Sequence, residues 1–218
     1  MPAPHVVLTL RTIQAWDRRR LRRLMRRHPG LRIHPDASTN LAFADFDLAE
    51  GARLDIGPGV ETDRRRGGLR FIVGPGAHVR IGEGCWLRSH LGPTIFAAFE
   101  GGELELGAHS WLSGCHLSAK QSLVVGRETL IGPGSRVFDS DQHDLDEERR
   151  ERTAPVRIGD YVWIASDVTV FKGVEIGSHS VVGARSLVTR SVPDHSLATG
   201  IPAKVVATLG DRSGLPHV

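Results

Sequence analysis

The sequence predicts an all-β solenoid of short strands, preceded by a short basic helix. Three observations favour this fold: aliphatic residues recur every six positions, 25 glycines are spread evenly along the chain, and aromatic residues make up only 6% of it. A chain of 218 residues with 40% hydrophobic content has the size of one domain with a sizeable core. A sandwich or bundle of that size would usually contain more aromatic rings.

The first predicted element, in an N-terminal segment comprising residues 1–49, is an amphipathic helix within RTIQAWDRRRLRRLMRRHPG. Its apolar residues have roughly helical spacing, and Pro29-Gly30 ends it. Such a helix can lie on an anionic membrane surface, or it can cap the open end of the solenoid. We favour the cap. Seven arginines lie in or beside the helix within ten residues: Arg18, Arg19, Arg20, Arg22, Arg23, Arg26 and Arg27.

The solenoid itself is predicted for residues 50–206. Its six-residue repeat is ragged upstream, where insertions such as ETDRRRGG separate the coils, and it is regular from residue 156. A helix cannot use this period, because six positions rotate a helical residue by about 240°. Short strands can, since residues i and i−2 share one face and a small residue follows where the chain bends. The predicted inward ladder is Ile158, Ile164, Val170, Ile176, Val182 and Val188.

A polar segment at residues 139–155 interrupts the repeat. It contains DEERRER and is therefore predicted to be an external loop of the solenoid. Loops held by a rigid scaffold are frequent sites of chemistry, and His143 lies at the entry of this one. The last residues, 207–218, are predicted to form a frayed tail.

Composition excludes several classes of protein. The formal charge of +3 is concentrated near the N-terminus, so no basic face for nucleic acid is predicted. Cys85 and Cys115 are too few for a disulfide framework. We find neither a signal peptide nor a run of 18 apolar residues, and therefore expect a soluble protein of the reducing cytoplasm.

The stretch PVRIGDYVWIASDVTVFKGVEIGSHSVVGARSLVTRSVPDHSLATGIPAKVV resembles the hexapeptide-repeat acyltransferases, in particular the branch that acetylates sugars and polysaccharides. The resemblance is tight over residues 131–206 and loose over 50–130. It implies a left-handed parallel β-helix of triangular cross-section with three hexapeptides per coil. It also implies a homotrimer that binds acetyl-CoA between neighbouring subunits. Periodicity alone predicts the solenoid but not its hand.

The implied activity is an acetyl-CoA-dependent O-acetyltransferase acting on a hydroxyl group of a sugar or polysaccharide precursor. In the resemblance, His143 matches the general base that activates this hydroxyl. Imidazole suits the role because its pKa lies near neutrality. Asp139, Asp141 or Asp144 could orient the ring, and the sequence does not choose among them.

The resemblance also implies the residues that bind the donor. Ser166 matches a contact to the pantetheine arm, and Ala184 matches the small residue at the thioester end. Thr189 and Arg190 match a Thr-Lys pair near the cofactor, and Lys204 matches a basic residue near its phosphates, which need charge-assisted partners. Two departures are Ala165 and Arg185, where the family usually has glycine; Arg185 either adds a phosphate contact or crowds the donor.

Several alternatives remain open at this point. Trp163 either stacks on an acceptor sugar or packs on a coil face, and Cys115 is either a nucleophile or, as we favour, an apolar filler. A zinc hydrase would use His109, His116 and His143, whose spacing lacks a close pair, so no metal is expected. The acceptor could instead be an antibiotic, serine or an amino sugar, or the solenoid could bind partners without catalysis.

Outward positions of the regular region carry more apolar residues than a solvated face needs. Trp163, Val181 and Leu187 are examples. Exposed apolar patches of this kind usually mark an interface, and the trimer implied by the resemblance would cover it.

Overall fold

The computed structural model describes residues 4–215 as an N-terminal helix, α1 (Pro4–Arg27), followed by stacked coils that each contribute to three sheets. The first coil contains β1 (Leu31–Ile33), a 3-10 turn (Thr39–Phe43) and β2 (Asp45–Leu48), and the second contains β3 (Arg53–Ile56), β4 (Glu61–Thr62) and β5 (Leu69–Val73). The third contains β6 (His78–Ile81), β7 (Trp86–Arg88) and β8 (Thr94–Ala98), the fourth β9 (Glu103–Leu106), β10 (Trp111–Ser113) and β11 (His116–Ala119), and the fifth β12 (Ser122–Val125), β13 (Leu130–Ile131) and β14 (Arg136–Phe138). The sixth contains β15 (Val156–Ile158), β16 (Trp163–Ile164) and β17 (Thr169–Val170), and the seventh β18 (Glu175–Ile176), β19 (Val181–Val182) and β20 (Leu187–Val188). A hairpin of β21 (Ser196–Gly200) and β22 (Ala203–Thr208) ends the array.

The three sheets form the faces of a left-handed parallel β-helix, as predicted. Sheet 1 has the order β1-β3-β6-β9-β12-β15-β18, and sheet 3 has the order β2-β5-β8-β11-β14-β17-β20. Sheet 2 runs β4-β7-β10-β13-β16-β19-β21-β22, and only its last pair is antiparallel. Because the chain visits the sheets in the order 1, 2, 3, the structure has a 1–2, a 2–3 and a 3–1 corner.

The core is the column of side chains inside the coils. All six residues of the predicted inward ladder are at most 1% exposed, which confirms the interpretation of the six-residue period. Further upstream the column contains aromatic rings, because Phe46, Phe71 and Phe96 stack with centroids 5.6 and 5.2 Å apart. Residues in register on successive strands therefore pack against one another along the axis of the solenoid.

The small residue after each inward aliphatic has a specific cause. At Gly159 an added Cβ would lie 2.7 Å from the backbone nitrogen of Ser178, and at Gly132 it would lie 2.8 Å from the carbonyl carbon of Ala165. Successive coils therefore approach each other so closely at these corners that a side chain would displace the next coil's backbone.

Helix α1 packs on the first coil, which is the capping position favoured from the sequence. Leu21 is buried there, and Leu24 and Met25 pack against the core. The first coil already begins at Leu31, ahead of the expected boundary at residue 50. Its strands lack the six-residue repeat, and a 3-10 turn occupies the place of its middle strand.

The C-terminal segment is more ordered than a frayed tail. Strand β22 extends to Thr208, and Leu209 donates its N–H to the carbonyl of His195 at 2.6 Å. Arg212 then donates its N–H to Nδ1 of His179 at 3.1 Å. Residues 1–3 and 216–218 of the two predicted terminal segments lie outside the described residues. No helix in the described part of the chain is long and apolar enough to cross a membrane.

Candidate functional site

The loop of residues 139–155 projects from the 3–1 corner, between β14 and β15. Its base is fixed by Asp139, a fully buried carboxylate. The Asp139 carboxylate accepts the backbone N–H groups of Lys120, Gln121 and Ser122 at 2.8, 2.7 and 2.8 Å. These donors lie at the preceding 3–1 corner, between β11 and the start of β12, so the first residue of the loop is tied to the scaffold. Ser140 and Thr153 close the loop with an antiparallel bridge.

Two lysines hold the loop from outside it. Lys120 donates to the Gln142 carbonyl at 3.2 Å and forms an ion pair with Glu151 at 2.7 Å. Lys172 pairs with Asp141, and this contact holds the pKa of the Asp141 carboxyl below its ordinary value. Neither lysine is part of a motif in the sequence. Their carboxylate partners lie 31 positions away along the chain, so no local pattern could have identified them.

His143 lies on this loop with its side chain exposed to solvent. None of the three aspartates proposed to orient it makes a hydrogen bond to it in the structure. Asp139 and Asp141 have the partners described above, and Asp144 accepts the Glu151 N–H at 2.7 Å and the Arg150 guanidinium at 2.8 Å. These two contacts lower the pKa of the Asp144 carboxyl. The His143 imidazole is therefore accessible to solvent. The loop that carries it is held by Asp139, by the Ser140–Thr153 bridge and by Lys120 and Lys172.

A partly buried surface on sheet 3 lies beside the base of the loop. The side chains of His116, Ser118 and Phe138 point outward there, because the intervening Leu117 and Val137 belong to the core. The His116 and Phe138 rings meet edge to face at 5.6 Å. Burial and the nearby Arg136 lower the pKa of His116. Ser118 is fully buried, and its Oγ has no hydrogen-bond partner among the described residues.

The predicted donor residues occupy two different corners. Thr189 and Arg190 follow β20 at the 3–1 corner, which also carries the loop with His143. Ser166 follows β16 and Ala184 follows β19, both at the 2–3 corner, where Lys204 pairs with Thr199 in the terminal hairpin. All of these side chains except that of Ser166, which is half-buried, are exposed. In one chain the two groups therefore flank sheet 3 from opposite edges.

Arg185 stands where the acyltransferases that the sequence resembles usually have glycine. The backbone at this position adopts a conformation that favours glycine. Its φ is 59°, in the left-handed region, and its side chain is 85% exposed, with Nε 4.0 Å from Asp167. Asp167 and Gly134 occupy the matching corner of the preceding coils with φ of 59° and 75°. The backbone thus retains the conformation that glycine favours although the residue is arginine.

We expect Arg185→Gly to leave the free energy of unfolding unchanged or to raise it by up to about 1 kcal/mol, because glycine removes the cost of positive φ. Thermal unfolding of both proteins at equal concentration measures this difference. Arg185→Ala is the matched control, since it removes the same guanidinium but keeps Cβ. A glycine variant less stable than the alanine variant would contradict this reading.

The alternatives raised by the sequence have different outcomes. Burial raises the pKa of the Cys115 thiol to about 12, which favours the apolar filler over the nucleophile. His109, His116 and His143 lie on the 1–2 corner, on sheet 3 and on the loop. Within residues 4–215, no three or more His, Cys, Asp or Glu side chains are grouped so that they could hold a metal ion. Trp163 is 44% exposed on sheet 2, with the Arg212 guanidinium 6.0 Å from its ring.

One predicted surface residue is not on the surface. Val181 is only 8% exposed in the single chain, so it cannot belong to an exposed apolar patch as expected. The residues adjoining it on sheet 2 are Trp163 and Leu197. Exposed apolar side chains are found instead on the terminal hairpin, where Ile201 and Val206 are 74% and 58% exposed.

Comparison with known proteins finds relatives by sequence and a similar fold among solved structures. No model of a known protein family matches the chain. Galactoside O-acetyltransferase of Escherichia coli (strain K12) is 28% identical over 136 residues, which are 61% of this chain and 64% of the relative. The galactoside O-acetyltransferase of Lactococcus lactis subsp. lactis (strain IL1403) is 32% identical over 136 residues, 60% of this chain and 63% of the relative. The chain therefore spans slightly less than two thirds of the length of these curated relatives.

Among solved structures, the polySia specific acetyltransferase NeuO is similar with a TM-score of 0.60 and 24% sequence identity. The similarity covers 80% of this chain and 85% of that one, and at this level of identity it bears on the fold alone. The coil architecture and the sequence similarity to galactoside O-acetyltransferases agree with each other. The chain is thus similar in sequence to galactoside O-acetyltransferases and similar in fold to an acetyltransferase of known structure.

Proposed function

We propose that this protein transfers an acetyl group from acetyl-CoA to a hydroxyl group of a sugar or polysaccharide precursor. The observation that carries the proposal is the accessible imidazole of His143, which lies on a loop whose base is fixed by hydrogen bonds. The similarity of the chain to galactoside O-acetyltransferases supports it. A loop with buried anchors keeps a base in place without shielding it from the substrate.

In the proposed reaction His143 acts as general base and then as general acid. It accepts the proton of the acceptor hydroxyl while that oxygen attacks the thioester carbonyl carbon. The tetrahedral intermediate collapses with cleavage of the carbon–sulfur bond, and the imidazolium returns its proton to the leaving thiolate. The products are an acetyl ester and coenzyme A. No metal ion takes part in this scheme.

The acceptor would bind beside the base, on the half-buried surface formed by His116 and Phe138. This surface offers two aromatic rings that meet edge to face. It suits a sugar, whose ring has apolar faces and whose hydroxyl groups can hydrogen-bond to the His116 imidazole.

The proposed donor site needs two chains. Its residues lie at opposite edges of sheet 3 in one subunit, and a coil edge of six residues spans up to about 20 Å. A trimer in which sheet 3 faces outward would place the 3–1 corner of one subunit beside the 2–3 corner of the next. Arg190 of one chain and Ser166, Ala184 and Lys204 of its neighbour would then line a single groove.

Replacement of Arg190 or Lys204 by Ala should weaken coenzyme A binding about 10- to 100-fold, as expected for loss of a charge-assisted hydrogen bond to phosphate. Isothermal titration calorimetry measures the effect. Arg70→Ala, which removes an exposed arginine on the outward-facing sheet 3, is the control and should bind coenzyme A as the parent does. Parental affinity in both the Arg190 and the Lys204 variants would place the cofactor elsewhere.

The trimer predicts a mass of about 71 kDa in solution, three times the 23.8 kDa of one chain. Light scattering at micromolar concentration measures it. Ile201→Glu together with Val206→Glu should lower this mass if the exposed hairpin is part of the interface, whereas Leu145→Glu on the exposed loop should not. A monomeric parent with full activity would rule out the shared donor groove.

The function is tested by release of coenzyme A thiol from acetyl-CoA in the presence of galactosides, maltose, an amino sugar and serine. The proposal predicts thiol release with at least one saccharide, and mass spectrometry should find one acetyl group on that acceptor in a base-labile ester. Transfer to an amine only, or acetyl-CoA binding without transfer to any hydroxyl compound, would contradict it.

A further inference from the structure

A second candidate binding surface lies at the opposite end of the molecule from the terminal hairpin. Its cations are the seven arginines between Arg18 and Arg27, and none of them forms an ion pair within the described part of the chain. The one acidic residue of α1, Asp17, is buried and paired with Arg64. A cap needs an apolar inner face, but it does not need an outer face of uncompensated cations.

Part of this charge lines a groove of about 510 Å³ between α1 and the residue 63–68 insertion of the second coil. Trp16, Arg19, Arg20 and Arg23 lie on one side of the helix, at positions i, i+3, i+4 and i+7. Arg66 lies across the groove, and the Phe43 ring forms part of its wall.

The contacts around the groove leave its lining arginines without an ion pair among the described residues. The Arg64–Asp17 pair ties the insertion to the helix, and Arg65 donates to the Ser89 carbonyl at 3.0 Å. The Arg64 guanidinium covers the Phe43 ring at 4.2 Å, and that of Arg20 lies 5.5 Å from the same ring. The arrangement is therefore built from two distant segments, and it gathers like charges that repel each other unless an anion binds.

The geometry points to a groove that binds a segment of an anionic polysaccharide. Arginine forks match carboxylate or phosphate groups, and the Trp16 ring, 66% exposed, offers a flat apolar face to a sugar ring. A lipid bilayer fits less well, because Leu21, Leu24 and Met25 of the helix are packed on the first coil. The large apolar side chains known to be exposed on the helix are only Leu10, Ile13 and Trp16 among the described residues, a small surface for insertion into a membrane interface. This inference goes beyond the proposed acetyl transfer, and it is tested by binding alone.

The experiment measures binding of the full-length protein to a short oligogalacturonate, which carries one carboxylate per sugar ring, and to a neutral maltooligosaccharide of equal length. We expect binding of the oligogalacturonate only. Arg20→Gln with Arg23→Gln should lower its affinity at least about tenfold, and Trp16→Ala at least about fivefold. The matched control is Arg18→Gln with Arg22→Gln, which removes the same charge from another side of the helix and should lower affinity less than about threefold. Thermal unfolding checks that each variant is folded.

Four results would overturn the inference. In the first, the parent binds neither oligosaccharide. In the second, both double variants lose affinity equally, which would indicate diffuse charge rather than a groove. In a third, vesicles containing phosphatidylglycerol are bound while oligogalacturonate is not, which would indicate a membrane surface. In the fourth, single-stranded DNA is bound more tightly than oligogalacturonate through the same residues.

Discussion

Replacement of His143 by Ala should lower the turnover number about 10²- to 10⁴-fold, because it removes the proposed general base. The affinity for coenzyme A should stay nearly unchanged, since the imidazole is assigned to proton transfer and not to donor binding. Stability should also be unaffected, because the side chain is exposed and makes no hydrogen bond in the structure. Thiol release with the best acceptor, together with calorimetric binding of coenzyme A, measures these quantities.

The control for this variant is His34→Ala, which removes another exposed histidine, in the first coil. It should retain parental turnover. Activity of His143→Ala within a few-fold of the parent would remove this residue from the mechanism and leave the acceptor surface without a base.

Replacement of Asp139 by Ala should lower the free energy of unfolding by about 3–5 kcal/mol. The fully buried carboxylate accepts three backbone N–H groups, and its loss removes the partner of all three at once. The same change should loosen the loop that carries His143. Urea unfolding reports the stability, and the rate of tryptic cleavage at the exposed Arg149, Arg150 and Arg152 reports the loop.

Asp141→Ala provides the comparison within the same loop. Its carboxylate is partly exposed and pairs with Lys172, so we expect a much smaller loss of stability than for Asp139→Ala. If the two variants are destabilised equally, Asp139 is not the anchor of the loop. A stable Asp139→Ala protein with unchanged tryptic cleavage would lead to the same conclusion.

The regular half of the fold was predictable because each coil repeats the same physical requirement. An inward aliphatic residue and a close corner recur every six residues, so the ladder from Ile158 to Val188 could be identified without coordinates. The first coil could not, because a 3-10 turn and a helix replace its pattern. The predicted exposure of Val181 was wrong for a related reason. Alternation along a strand predicts on which side of the sheet a side chain lies, but not which residues cover that side chain.

For the candidate site, the sequence identified the loop and His143 but not the anchors. A buried Asp139 and an exposed Asp144 look alike in the sequence. They differ because Asp139 accepts backbone N–H groups from outside the loop, whereas Asp144 accepts the Glu151 N–H within it. Lys120 and Lys172 were overlooked because their partners are distant along the chain. The roles of Ser166, Ala184, Thr189, Arg190 and Lys204 remain predictions, although their division between two corners is now specific enough to test.

The central claim is that acetyl transfer occurs in a groove shared by two chains. It is tested most directly by co-expressing His143→Ala with Ala184→Trp under different tags and purifying trimers that carry both. Each variant alone should be inactive. In every mixed trimer one of the three grooves would combine an intact His143 with an intact donor corner, so we predict about a third of the parental activity. Mixed trimers no more active than the single variants would contradict the shared site.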